Sequence, residues 1–168
     1  MKGKKNAGFS LVELIVVVLI MAIIAVALAP QVMKWVENSR IASDLQTRTD
    51  IEDHCILAIA DPDAFEMVKS GGYEIIIEKT TGGDVNFTYK DKTNTYVSPT
   101  RPDPDSDPFW AKFLEISGLD DFEEFEDGAE IKSTPMGADI KLEVHVYEGG
   151  YTFSDLSGGV NKEDLGVS

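Results

Sequence analysis

From Leu14 to Ala29 the chain carries sixteen consecutive residues without a polar side chain, and Pro30 follows. Counted from Phe9 the apolar stretch is 21 residues long, interrupted only by Ser10 and Glu13. At 1.5 Å rise per residue such a helix reaches roughly 32 Å, close to the ~30 Å hydrocarbon thickness of a bilayer. Beyond Pro30 the pattern changes. Val32, Trp35, Val36, Ile41, Leu45, Ile51, Cys55 and Ile59 recur at mostly helical intervals, with Lys34, Glu37, Arg40, Asp44, Arg48 and Asp50 between them. That spacing predicts an amphipathic continuation of the same helix, its apolar face toward a sheet. Arg48 and Glu52 interrupt the stripe, and Asp61-Pro62 stops it. Trp35 stands where an aromatic membrane-interface anchor would stand.

After the helix the period shortens. Asp61 as N-cap with Pro62 at the first helical position predicts a short helix, 62–69, closed by Gly71-Gly72. Tyr73–Lys79 is rich in β-branched residues, Thr80-Thr-Gly82-Gly83 is a turn, and Val85–Lys90 alternates apolar and polar. Together they predict a hairpin, with a short strand near Thr95–Ser98. Four prolines between Pro99 and Pro108 forbid ladder pairing and predict a surface loop. A helix from Phe109 to Ile116 ends at Gly118, and an acidic helix or turn covers Leu119–Glu126. Strands are predicted at Ile131–Thr134 and Ile140–Tyr147 around a Pro135-Met-Gly137 turn. Gly149-Gly150 then lets Tyr151-Thr-Phe153 return as an edge strand, and the chain frays from Gly158-Gly159. A long helix followed by strands is the α+β order, here a helical spine packed on a small antiparallel sheet.

Composition narrows the partners. The formal charge of the 168 residues is −15, and removing Lys2, Lys4 and Lys5 takes it to −18. A domain so acidic repels nucleic acid, membrane headgroups and its own copies, so no general nucleic-acid binding is expected. One cysteine, Cys55, excludes an intrachain disulfide, and the fold must rest on its core.

The first thirty residues carry the chemistry. A secretory signal peptide has a shorter apolar stretch and a small-residue cleavage site, whereas here Gln31-Val-Met-Lys34-Trp-Val-Glu37 follows Pro30. The segment therefore reads as a span, held with its start in the cytoplasm by the three leader lysines. A carboxylate at membrane depth costs several kcal/mol unless paired, so Glu13 marks function. Gly8-Phe9-Ser10-Leu11-Val12-Glu13, after a basic leader and before an apolar span, resembles the class III signal of type IV pilins and the pseudopilins of type II secretion. The resemblance covers about the first 55 residues.

The resemblance implies a set of roles. Prepilin peptidase would cut between Gly8 and Phe9 and methylate the new amine of Phe9. Glu13, fifth from Phe9, would pair with that amine on a neighbouring copy, and Pro30 would be the family's proline at the twenty-second position. Each role has a physical basis. Gly8 leaves room for a protease to approach the backbone. A Phe9 ammonium at a helix N-terminus opposes the helix dipole and gains from a carboxylate one turn on, its own copy's or a neighbour's. An unmatched charge in an oily core is strongly penalised, so the pair sets register between copies. Pro30 removes a helical hydrogen bond, at about 3 kcal/mol or more in water, and predicts a kink or a locally melted stretch around Ala25–Ala29.

The expected organisation is a leader at 1–8, a transmembrane and polymerisation helix at 9–30, an amphipathic half-spine at 31–60 and an α+β head at 61–168. The expected function is a structural subunit of a type IV pilus or pilus-like filament, not an enzyme and without a cofactor. Its partners would be other pilin subunits in a helical filament, prepilin peptidase, an assembly platform, and a single-pass inner membrane before export to the surface. Alternatives are a pseudopilin of a secretion or DNA-uptake machine, with a periplasmic location, and a signal-anchored surface binding protein. Asp103, Asp105 and Asp107 alternate in the loop as calcium candidates. They lack the EF-hand glycine and glutamate, Pro108 and Leu114 standing there instead. The acidic run Glu123, Glu124, Glu126 and Asp127 reads as a solvated face, and His54 and Cys55 as ordinary helix residues pointing apart.

Overall fold

A computed structural model describes residues 10–134 and 139–147, together with the backbone of 151–157. Helix α1 runs Leu11–Ala58, 48 residues with Pro30 inside it. The chain divides into two compact units, 1–37 and 38–168. Between Leu11 and Val36 the first unit is helical, with nearly every side chain open to solvent.

In the second unit, the rest of α1 buries Ile41, Asp44, Ile51, Cys55 and Ala58, a seam at spacings of three, four and seven. Helix α2 (Pro62–Lys69) starts as its sequence predicts: the Asp61 carboxylate accepts from the N–H groups of Asp63 and Ala64, with Pro62 in the first turn. Strands β1 (Tyr73–Lys79) and β2 (Val85–Lys90) form the expected hairpin, its turn using Gly83 at a φ of 94°. Strand β3 (Thr95–Val97) pairs with β2. Helix α3 (Pro108–Ser117) is capped by Asp107 and closed by Gly118 in the left-handed region, where the Leu119 N–H reaches back to the Leu114 carbonyl.

Helix α4 (Phe122–Gly128) begins three residues later than Leu119, because the Asp121 carboxylate accepts from the N–H groups of Glu123 and Glu124 and fixes the cap there. Strands β4 (Ile140–Tyr147) and β5 (Tyr151–Ser157) complete an antiparallel sheet of order β3-β2-β1-β4-β5. β1 is central: Ile75 faces Tyr89 on one side and Val144 on the other. The expected α+β fold, a long helix with an antiparallel sheet, is the observed one.

The alternation in β4 sends Ile140, Leu142, Val144 and Val146 into the core. There they join Tyr73, Ile75, Ile77, Phe87 and Tyr89 beneath the aromatic rings of α3 and α4. Trp110 is the hub, edge-on to Tyr73, Tyr89, Phe109, Phe113 and Phe122 at centroid distances of 5.0–6.3 Å. On the other face, charges roof a buried Ile76. Lys90 pairs with Glu74 at 2.6 Å and Lys141 with Glu143 at 2.8 Å, while His145 lies 3.6 Å from both carboxylates.

One predicted strand is absent. Ile131–Thr134 joins no ladder, because its backbone groups are taken by side chains. The N–H groups of Lys132 and Ser133 donate to the two oxygens of Asp44, at 2.7 and 2.9 Å, and Lys79 Nζ donates to the Ile131 carbonyl. The Pro135-Met-Gly137 turn, Gly149-Gly150 and the tail from Gly158 lie outside the described residues.

Candidate functional site

The N-terminal part of α1 is an unusual surface for a folded chain. Leu11 is 73% exposed and Val26 76%, and the other large aliphatic residues from Val12 to Leu28 are exposed as well. Burying a leucine- or valine-sized side chain is worth about 1.5–3 kcal/mol, so a helix apolar on all sides is a segment whose partner is lipid or protein. By length and composition, α1 is long and apolar enough to cross a membrane.

The start of this helix is built by two residues. Ser10 is the first described residue, and its backbone N–H donates to Glu13 Oε2 at 2.9 Å, while the Ser10 carbonyl accepts from the Leu14 N–H. This is the glutamate arm of a capping box, in which an acidic side chain at the third helical position satisfies the N-cap N–H. Glu13 therefore closes the helix start as well as carrying the segment's charge. The Ser10-x-x-Glu13 spacing is itself a cap signature in the sequence. Gly8 and Phe9, the expected cleavage pair, lie outside the described residues. Pro30 is embedded in continuous helix, and Ala25–Ala29 are helical here. Of the two expectations at Pro30, a kink or a melted stretch, this structure shows no melted stretch at Ala25–Ala29.

The three aspartates of the acidic loop have different surroundings. Asp107 has both oxygens committed: Oδ1 accepts from the Phe109 N–H at 2.9 Å, and Oδ2 accepts from the Tyr73 hydroxyl at 2.7 Å. Burial, then the hydrogen bond its hydroxyl donates to Asp107, pushes the Tyr73 phenol above its usual range. Asp103 accepts from the Asp105 N–H at 3.1 Å, tying the loop to itself. Asp103 and Asp107 border a cavity of about 230 Å³ shared with Asp91 and Tyr96, but Asp105 does not line it. Among the described residues, no three His, Cys, Asp or Glu side chains converge as metal ligands.

The acidic run beside α4 is not uniformly solvated. Glu126 is buried and accepts from the Tyr89 hydroxyl, the Ser98 hydroxyl and the Arg101 guanidinium, whereas Glu123 is exposed. Burial, then the Glu126 carboxylate, pushes the Tyr89 phenol well above its usual range. Of the adjacent helix residues, Cys55 is fully buried, and His54 Nδ1 lies 3.0 Å from Ser117 Oγ.

The family model for the prokaryotic N-terminal methylation motif matches residues 3–29. No solved structure matches the chain. The matched span includes Gly8, Phe9, Ser10 and Glu13 and ends one residue before Pro30. The chain therefore carries the class III signal peptide of type IV pilins and pseudopilins, and its apolar helix with that signal fits a membrane-anchored precursor.

Proposed function

We propose that this chain is the precursor of a structural subunit of a type IV pilus or pilus-like filament. Residues 1–8 are a leader removed by prepilin peptidase between Gly8 and Phe9, and the freed Phe9 amine is methylated. The precursor sits as a single-pass protein of the inner membrane. An assembly platform extracts it into a filament in which residues 9–30 pack against other subunits. The remainder, with 31–60 as half-spine and 61–168 as head, is carried outside. One observation carries this reading: a helix exposed and apolar on all sides, with Glu13 in its first turn, coincides with the methylation motif.

The energetics exclude a free subunit in water. At about 25 cal/mol per Å² of apolar surface, keeping this segment from water is worth tens of kcal/mol before ordering costs are subtracted. Glu13 has an additional role after cleavage. Its carboxylate closes the helix start in the uncut chain, and the new Phe9 ammonium offers a stronger, charged donor. Processing thus creates the counter-charge that makes a Glu13 carboxylate tolerable between packed helices.

The test is expression with and without a prepilin peptidase, followed by mass spectrometry. A loss of the eight leader residues with a methyl gain at Phe9 is expected, and an unshifted mass under co-expression overturns the reading. Glu13→Ala is expected to be cut normally yet to yield few filaments in sheared fractions. Normal filaments from that variant would refute the role given to Glu13. Electron microscopy of the same fractions separates a long surface fibre from the short periplasmic filament of a pseudopilin.

A further inference from the structure

The buried seam of α1 has one irregular position. Ile41, Asp44, Ile51, Cys55 and Ala58 are buried at helical spacing, and the step from Asp44 to Ile51 passes through Arg48. At 100° per residue, Arg48 falls within the arc the seam covers. Its Nε is sealed from water and has no hydrogen-bond partner among the described residues, while the residue as a whole keeps part of its surface exposed. The other two arginines are engaged. Arg40 donates to the Thr134 hydroxyl, and Arg101 holds Glu123 and Glu126. The acids nearest Arg48 along the helix are occupied too. Asp44, one turn back, spends both oxygens on backbone N–H groups, and Glu52, one turn on, is engaged elsewhere.

We propose that Arg48 is a docking cation for a carboxylate on a second copy of this chain. The inference rests on the filament reading above and adds a specific contact to it. Burial of the Nε restrains the guanidinium at its neck, and a guanidinium's planar fork of N–H groups is the geometry that carboxylates accept best. Carboxylates are also what a second copy supplies in excess, with 30 acidic against 15 basic residues. Heads of like charge repel, so contacts between copies must set a cation against that surplus. Arg48 lies on the helix whose N-terminal part is the proposed polymerisation element. A leucine would complete the seam; an arginine there gives up apolar packing in exchange for a held charge.

The test uses full-length chain assembled into filaments. Arg48→Lys places a primary amine at the site, and a zero-length carbodiimide then joins it to any carboxylate in contact, forming an amide with loss of water. Filaments of R48K and wild type are coupled, denatured and separated by size, and the dimer band is digested. The expected result is a cross-linked peptide from the R48K dimer band that joins position 48 to an acidic residue and is absent from wild type. Arg48→Gln is expected to lower sheared filament yield several-fold while the unfolding transition of the head stays in place. A position-48 cross-link found only in the monomer band overturns the proposal, since the partner then belongs to the same copy. R48Q filaments formed at wild-type yield, with no position-48 cross-link in R48K, overturn it as well. If wild type itself makes no filaments after correct processing, the filament reading fails first, and this contact fails with it.

Discussion

Ser133 donates its backbone N–H to Oδ2 of Asp44 at 2.9 Å, joining positions 89 residues apart in the chain. The Lys132 N–H takes the other oxygen at 2.7 Å, so one buried carboxylate holds a whole segment of connecting chain against α1. Asp44→Ala leaves one buried and one part-buried donor without an acceptor, the buried one worth about 1–3 kcal/mol and the other less. The expected outcome is a destabilisation of about 2–4 kcal/mol in denaturant titration of the detergent-solubilised chain. Asp44→Asn, which keeps one acceptor oxygen, is expected to fall between wild type and alanine. An alanine variant as stable as wild type would show that the segment does not depend on this anchor.

Glu126 and Glu123 both touch Arg101, but only Glu126 is buried, and it also serves Tyr89 and Ser98. Removing a carboxylate that satisfies buried donors is far more damaging than removing an exposed one. Glu126→Ala is expected to lower Tm by many degrees, and Glu123→Ala to leave it nearly unchanged. Equal shifts in a thermal melt would contradict the difference in burial.

Acidification has a defined sign. Burial pushes Asp91 up, but the N–H groups of Thr93 and Asn94 and the Thr93 hydroxyl outweigh it and hold the carboxyl below its usual value. The hydrogen bond from Lys141 does the same for Glu143 against its own burial. Groups depressed in the folded state contribute stability that is complete above the ordinary carboxylate range, about pH 4, and is lost as pH falls through their folded values. Tm is therefore expected to drop below about pH 4, and Asp91→Asn to flatten that drop while lowering Tm at neutral pH. An acid limb of unchanged steepness in the variant would remove Asp91 from the account.

Burial, then the nearby Glu52 carboxylate, pushes the Cys55 thiol far above its usual range. A thiolate is the reactive species, so alkylation of the folded chain is expected to be slow and to accelerate with unfolding. Mass spectrometry after iodoacetamide, with and without denaturant, reads this directly. Rapid labelling of the native chain would mean that this part of α1 opens readily.

Much of the fold was legible because local periods survive in the sequence. β4 shows it in Ile140, Leu142, Val144 and Val146, and α2 and α3 in their Asp-Pro starts at Asp61 and Asp107. What escaped depends on distant partners. Ile131–Thr134 has strand-like residues, yet its donors go to a carboxylate 88 and 89 positions away, which no local pattern records. The central place of β1 is hidden for the same reason, since β4 arrives beside it only after α3 and α4. Arg48 was visible as a break in the apolar stripe, but its sealed Nε was not. At the candidate site the proposal of Gly8, Phe9 and Glu13 rests on the spacing of the motif alone. The bond from the Ser10 N–H to Glu13 needed coordinates.

The charged roof over Ile76 has a consequence for how the surface can change. Its pairs, Lys90 with Glu74 and Lys141 with Glu143, cancel one another where the strands meet. Much of the chain's negative excess is therefore displayed by loops and by the short helix α4, outside the ladder. Exposed acids there that neither cap a helix nor hold a turn, such as Asp105 and Glu123, can change without disturbing strand register. The electrostatic face shown to the environment is thus free to diverge, while the sheet beneath it stays under the constraint of pairing.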